Sequence, residues 1–410
     1  MKGRRVAITG IGVVAPHGAE PRRMFDALLD GTSAVRKLVL HSSAGQVETV
    51  GAAVGDMTWD AIPSAQRVTS DRISLYAMTA AESAMNDAGL DASRVDAQRF
   101  GISVGTSQGG TISQEDAYDA MLAERKPRLS PFTLVKVMYN GPAAQIALRY
   151  KLRGPSLTYT TTCSSSAVAV GEAARQIRHG YADVMLAGGA EALFSYVSIK
   201  AWQALQVLAS PRADDVASTC RPFSKDRAGT VLGDGAAFVV LEDLERAKAR
   251  SARIYAELSG YAACNDASHM TQPSVEEQAR AMRLALEDAA CAPDSVDYVN
   301  AHGTATERND VTETAAIRLV FGDHAGRLAV SSTKSMHGHL VGAAGALELA
   351  ICVLAIERQA VPPTAHLHHP DPRCDLDYVP HTGRDARVRT VVTNSFAVGG
   401  TAAVIVLSKV

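Results

Sequence analysis

The chain lacks several things that would narrow its function in other directions. It has no excess of charge of either sign: 41 Lys and Arg against 43 Asp and Glu leave a formal net charge of −2. That excludes a global basic field for nucleic acid or an anionic membrane, although a local basic patch stays open. Aromatic residues make up only 5 % of its 410 residues. Six cysteines are scattered without a CxxC pair or regular spacing, which argues against a disulfide framework or a zinc site, and no metal is expected. No apolar run is long enough to span a bilayer. The most apolar window, GAAGALELAICVLAI, carries Glu348 and is too short and too charged for that purpose. The opening MKGRRVAITGIGVV has two arginines before an apolar run, but Thr9, Gly10 and Gly12 interrupt it. It reads as a first strand rather than an export signal, so a cytoplasmic enzyme without a membrane partner is the expectation.

What is present is a repeat. Residues 80–107, AAESAMNDAGLDASRVDAQRFGISVGTS, and residues 281–306, AMRLALEDAACAPDSVDYVNAHGTAT, share one order. Each runs from a helical pattern through an aspartate-bearing turn into a short apolar strand closed by Gly-Thr. Further on, GPSLTYTTTCSSSAVAVGEAARQI and RLAVSSTKSMHGHLVGAAGALELAICVLAI both read strand, polar loop, helix. RTVVTNSFAVGGTAAVIVLS reads as two strands around a Gly-Gly. Strands alternating with helices imply an α/β chain with parallel sheets covered by helices. Two halves are expected, 1–250 and 251–410, packed as a pseudo-twofold pair with equivalent loops meeting near the axis.

Three residues stand at strand-to-helix junctions of this scheme, where open α/β sheets place their sites. Cys163 lies among three threonines and three serines at the start of a helix. A free cysteine is most often a small buried hydrophobe. A thiol at a helix N-terminus, however, faces unpaired amides and the positive end of the dipole, and both lower its pKa. Cys220, Cys264, Cys291, Cys352 and Cys374 have no such setting. His302 ends a strand in HGTAT and His339 lies in KSMHGHLVGAAGA, with His337 close by. One nucleophile with two imidazoles suits thioester chemistry.

Read together, VAITGIGVVAPHG, GPAAQIALRYKLRGPSLTYTTTCSSS, RPFSKDRAGTVLGDGAAFVVLEDLERA, VNAHGTATERND, SSTKSMHGHLVGAAGALE and NSFAVGGTA resemble the β-ketoacyl-acyl-carrier-protein synthases. These are the condensing enzymes of fatty acid and polyketide assembly, and the resemblance is to their elongating Cys-His-His class. It implies the thiolase-like fold, a duplicated αβαβα five-layer architecture. It implies Cys163 as the residue that takes the acyl chain, and His302 and His339 as the pair that binds the malonyl thioester and stabilises its enolate. Lys334 would orient that pair, with Glu348 and Asp310 as structural support. Backbone amides of Cys163 and Val398 would form the oxyanion hole. Thr304 and Thr306 would contact the phosphopantetheine arm, and Gln108, Phe396 and Val398 would line the acyl tunnel. No bound cofactor is implied, because substrates travel on the phosphopantetheine of an acyl carrier protein. Carrier proteins are acidic, so a basic rim is expected, with Arg67, Arg72 and Lys200 as candidates.

Related readings fit less well. A thiolase needs a second cysteine near NSFAVGGTA, and none is there. Initiating and chalcone-type synthases pair Cys and His with Asn, whereas GHLVGAAG supplies a second His. A chain-length factor lacks the cysteine and a cysteine protease leaves two histidines unexplained, while covalent trapping of Cys163 by an acyl thioester would separate an enzyme from a carrier-binding scaffold. The expected function is therefore decarboxylative condensation of an acyl-enzyme with malonyl-acyl-carrier protein. Val398 stands where the family has a gating phenylalanine, and Gln108 where many housekeeping members are apolar. Both point to polyketide, polyene or specialised fatty acid synthesis and to chains more polar or unsaturated than saturated fatty acyl groups. Housekeeping elongation is one alternative, and a non-catalytic chain-length-factor or carrier-binding scaffold, from a different class, is the other. Dimerisation through SLTYT is expected, as a homodimer or as a heterodimer with a chain-length-factor-like ketosynthase.

Overall fold

The computed structural model describes residues 3–212 and 215–410. Its centre is a ten-stranded sheet. The strands are β1 Val6–Val14, β2 Phe100–Gly105, β3 Ser156–Tyr159, β4 Val184–Glu191 and β5 Gly235–Asp243. They continue as β6 Ala256–Asn265, β7 Tyr298–Asn300, β8 Ala329–Ser331, β9 Thr390–Phe396 and β10 Thr401–Ser408. Their order is β8-β7-β9-β10-β6-β1-β5-β4-β2-β3. In the first half β2 pairs parallel with β3 and β4, while β4–β5 and β5–β1 are antiparallel. The second half repeats this: β7 is parallel to β8 and β9, and β9–β10 and β10–β6 are antiparallel. The halves meet where β1 pairs antiparallel with β6 at Ala7–Glu257 and Ile8–Ala256.

Helices α1 Arg72–Asp87, α2 Gly141–Tyr150, α3 Ser165–Arg178, α4 Val275–Asp288, α5 Glu307–Phe321 and α6 Ala344–Arg358 make up the remaining layers. Helices α3 and α6 pack against each other and against strands of both halves. Helices α1 and α2 cover the first half on its outer side, and α4 and α5 cover the second. The result is five layers, αβαβα. Position in the central layer explains the composition of α6: its residues from Ala344 through Ile356 are buried. An all-round apolar helix is what burial between the two halves of the sheet demands, so GAAGALELAICVLAI is a core helix. Among the described residues no helix is long and apolar enough to cross a membrane.

The duplication extends to single atoms. A Cβ on Gly10 of β1 would lie 2.3 Å from Ala84 O of α1, and one on Gly260 of β6 would lie 2.3 Å from Ala285 O of α4. Each glycine lets an outer helix backbone approach its strand, an approach that any side chain would block. The two sheet edges differ, however. Strand β8 is covered by the segment around Asp377, whose carbonyl accepts from Val330 N–H at 2.9 Å. The β3 edge carries an exposed Leu157, and the neighbouring α2 an exposed Leu148.

Candidate active site

Cys163 occupies a single 3-10 turn, Thr162–Ser164, directly before α3. The same turn recurs as Val341–Ala343 before α6. In both, a β-branched residue takes a left-handed backbone: Thr162 has φ 49° and Val341 has φ 45°. This conformation is strained for such side chains, and the surroundings hold it in place. Thr162 Oγ1 donates to the Val398 carbonyl at 2.6 Å. The other hydroxyls of the TTTCSSS stretch brace the loop. Ser165 Oγ accepts from Thr161 N–H at 2.9 Å, and Ser166 Oγ accepts from Ala346 N–H of α6 at 2.9 Å.

The thiol is buried, and the nearby amides of Val398 and of Cys163 itself favour its thiolate form. This arrangement corrects one sequence expectation. Burial pushes the Cys163 thiol up to about 11, and the Val398 amide, the Lys334 charge and its own amide only partly pull it back. Desolvation of the thiolate outweighs the helix-start donors because the turn sits between the layers rather than at a surface.

His302 follows β7 and His339 precedes the Val341 turn; both are buried. Their rings lie 5.5 Å apart, edge to face. Ligand-type atoms of Cys163, His302 and His339 all fall within 4.8 Å of one another. Burial first, then the Lys334 charge, holds both imidazoles well below their usual 6.5, so both are neutral near pH 7. Val341 N–H donates to His339 Nδ1 at 3.3 Å. That bond puts the His339 proton on Nε2, which has no partner in the protein. An Nε2–H edge donates, so it suits an oxyanion rather than a metal ion. His337 is occupied elsewhere: Nδ1–H donates to the Gly338 carbonyl at 2.7 Å and Nε2 accepts from Thr333 Oγ1 at 2.9 Å.

Lys334 and Glu348 form an ion pair with both side chains at 0 % exposure. Burial pushes the Glu348 carboxyl up to about 7, against the pull of Lys334. Asp310 accepts from Phe223 N–H at 2.8 Å and faces Arg227 at 3.5 Å. Arg227 in turn donates to the Thr306 carbonyl at 3.1 Å. Thr306 caps α5, and its hydroxyl lies 3.0 Å from that of Thr304.

A cavity of about 440 Å³ joins Cys163, His302, His339, Thr304, Thr306, Phe396 and Val398. Gln108 is not part of its wall; its side-chain carbonyl accepts from Ser198 Oγ at 2.8 Å. Arg67, Arg72 and Lys200 do not line the cavity either. Arg67 lies 3.5 Å from Asp60, Arg72 begins α1, and Lys200 rides on the helix Tyr196–Ala204, whose Trp202 faces the cavity.

Two carboxylates escaped the sequence reading. Glu191, at the end of β4, accepts from Ser107 N–H (2.7 Å), Gln108 N–H (3.1 Å), Thr106 Oγ1 (3.1 Å) and Gly342 N–H (3.0 Å). It thereby ties the first-half loop after β2 to the His339 loop. Glu313 accepts from His302 N–H and Gly303 N–H, both at 2.8 Å, and from Asn394 Nδ2 at 3.1 Å. The available signal was a glutamate inside an apolar strand in one case and on a helix face in the other.

A buried thiol met by two amides and two neutral imidazoles, delivered by equivalent loops of a five-layer duplication, defines an acyltransferase of the thiolase fold. Comparison with known proteins makes this specific. The model described as "Beta-ketoacyl synthase, N-terminal domain" matches residues 3–247, and "Beta-ketoacyl synthase, C-terminal domain" matches residues 255–368. Nodulation protein E of Rhizobium meliloti (strain 1021) is 44 % identical over 99 % of this chain and 100 % of its own. The 3-oxoacyl-[acyl-carrier-protein] synthase 2 of Coxiella burnetii is 42 % identical over 100 % of both. Among solved structures, a ketosynthase complex described as a type II PKS acyl-carrier protein with its ketosynthase bound to the hexaketide superposes with TM-score 0.90, at 34 % identity over 100 % of both chains. The chain belongs to the beta-ketoacyl synthase family.

Proposed function

We propose that this protein condenses an acyl group held on Cys163 with malonyl-acyl-carrier protein, losing CO2 and giving β-ketoacyl-acyl-carrier protein. Cys163 Sγ attacks the acyl thioester carbonyl, the bond to the carrier arm breaks, and the arm leaves as the thiol with the proton that Cys163 gives up. The amides of Cys163 and Val398 hold the tetrahedral oxygen. Malonyl thioester then enters along Thr304 and Thr306. As its carbon–carboxylate bond breaks, the electron pair passes to the thioester, and the enolate oxygen is met by the His302 and His339 edges. The enolate carbon attacks the acyl-Cys163 carbonyl and Cys163 leaves as thiolate. Lys334 and Glu348 position the histidine loops.

The observation that carries this reading is the convergence of Cys163, His302 and His339, with side-chain atoms within 4.8 Å of one another, on one cavity wall. Imidazolium would serve equally as donor, but a neutral pair leaves Cys163 free of a permanent counter-charge and keeps the cavity apolar for the acyl chain. The substrate carrier is an acyl carrier protein, received on a rim that includes Arg67, Arg72 and Lys200. A second ketosynthase-like chain, identical or of the chain-length-factor kind, joins along β3. Val398 in place of an aromatic gate favours specialised chains.

Intact-mass detection of acyl-Cys163 over a panel of acyl-carrier thioesters tests the function, with Cys163→Ala as the control. Loading at Cys163 and CO2 release from malonyl-carrier protein are expected. A clear preference for long saturated chains would overturn the specialised pathway, and absence of acylation would overturn the function.

A further inference from the structure

One buried polar atom on the cavity wall is not used by the chemistry above. Segment 229–231 is stitched between the two histidine loops. On one side Gly229 N–H donates to Ala305 O at 3.1 Å, and on the other Val231 O accepts from His339 N–H at 2.7 Å. The backbone of Thr230 turns away from both: its N–H donates to Val207 O at 2.8 Å and its carbonyl accepts from Ala209 N–H at 2.9 Å. Its side chain lies on the wall shared with Cys163, His302 and His339. Thr230 is 4 % exposed, and its hydroxyl has no hydrogen-bond partner in the protein. A buried hydroxyl without a partner costs stability and calls for an explanation. A ligand that supplies the partner provides one.

The acyl chain on Cys163 is largely apolar and offers this hydroxyl little. The malonyl thioester carries two polar groups separated by one methylene: the thioester carbonyl, which the histidines take, and the carboxylate that departs. Thr230 shares the cavity wall with both histidines, and its segment is anchored between the same two loops.

We propose that Thr230 Oγ–H donates to the carboxylate of the malonyl extender and so selects it over uncharged thioesters. The inference rests on the condensation reading above. The bond is made in the ground state: when the carbon–carboxylate bond breaks, the carboxyl carbon leaves as neutral CO2, and the hydroxyl loses its anionic acceptor. An interaction of this kind lowers KM and does not raise kcat. It makes Thr230 a specificity residue, not a proton carrier.

The test compares wild type with Thr230→Val, which keeps the shape and removes the hydroxyl, and with Thr230→Ser, which keeps the hydroxyl. Thr230→Ala serves as a second hydroxyl-free variant should valine perturb folding. Malonyl-carrier protein is the substrate and acetyl-carrier protein the uncharged competitor. In Thr230→Val and Thr230→Ala the KM for malonyl-carrier protein should rise about tenfold, as expected for one hydrogen bond to a charged group. Their rate of acyl loading on Cys163 and their inhibition by acetyl-carrier protein should stay at wild-type values, their kcat should not fall, and Thr230→Ser should follow wild type. An unchanged malonyl KM in the hydroxyl-free variants, or equal weakening of malonyl and acetyl binding, would overturn the inference while leaving the condensation reading intact. A wild-type protein that releases no CO2 from malonyl-carrier protein overturns that reading and this one together.

Discussion

Gly342 stands in the second half where Cys163 stands in the first, at the middle of the turn before a central helix. Replacing it with alanine puts a Cβ 2.4 Å from Glu191 Oε2, 2.4 Å from Ser107 N and 2.7 Å from Thr106 C. Two of these three atoms are backbone and cannot swing aside. Overpacking of this kind costs about 1–3 kcal/mol. If the loop withdraws, the Gly342 N–H bond to Glu191 breaks and a buried donor loses its partner, a further cost of about 1–3 kcal/mol. Together these come to roughly 2–6 kcal/mol. A chain of this size has an unfolding entropy of about 0.9 kcal/mol/K, so Tm should fall by about 2–7 °C. The withdrawal carries His339 with it. A displacement near 1 Å is enough to cost about a hundredfold in condensation. Acyl loading of Cys163, whose turn is tied to Val398 instead, should suffer far less. Differential scanning fluorimetry and separate loading and condensation assays read these quantities. A Gly342→Ala protein with wild-type Tm and wild-type condensation would refute the reasoning.

Three other outcomes follow from the site. Because His302 and His339 are held well below 6.5, lowering the pH from 8 to 6 adds no proton to either, and condensation should stay flat over that range; a fall centred near 6.5 in the initial-rate profile would count against neutral imidazoles. Lys334→Met leaves Glu348 buried without its cation, which should cost about 3–5 kcal/mol in denaturant unfolding, with much of it regained in Lys334→Met/Glu348→Leu. The Cys163 thiol, pushed up to about 11 by burial, should be alkylated by iodoacetamide at a rate that climbs about tenfold per pH unit from 7 to 10; a plateau below pH 8 would show that the helix start prevails.

Much of the architecture was legible because its signals are local and occur twice. The helical stretches around residues 80 and 281 fall within α1 and α4, and the apolar segments after them are β2 and β7. The loop carrying Cys163 and the loop carrying His339 could be matched because each stands between a strand and a long apolar helix. Other features arise only when distant segments meet. Glu191 accepts from the 106–108 loop and from Gly342, and no spacing in the chain announces that convergence. The raised thiol has the same origin: the helix start is visible in CSSS, but the burial that outweighs it depends on the layers closing over the turn. Gln108 likewise changes meaning once Ser198, far along the chain, takes its carbonyl.

The unlike edges of the sheet limit how this molecule can assemble. Beyond β8 the Asp377 segment already fills the next position, so no further strand can be added there. Beyond β3 the ladder ends on a four-residue strand, Ser156–Tyr159, that carries the exposed Leu157. A copy pairing along β3 would use up the open edge of the ten-stranded sheet in both partners. Strand addition to this sheet would then stop at two copies.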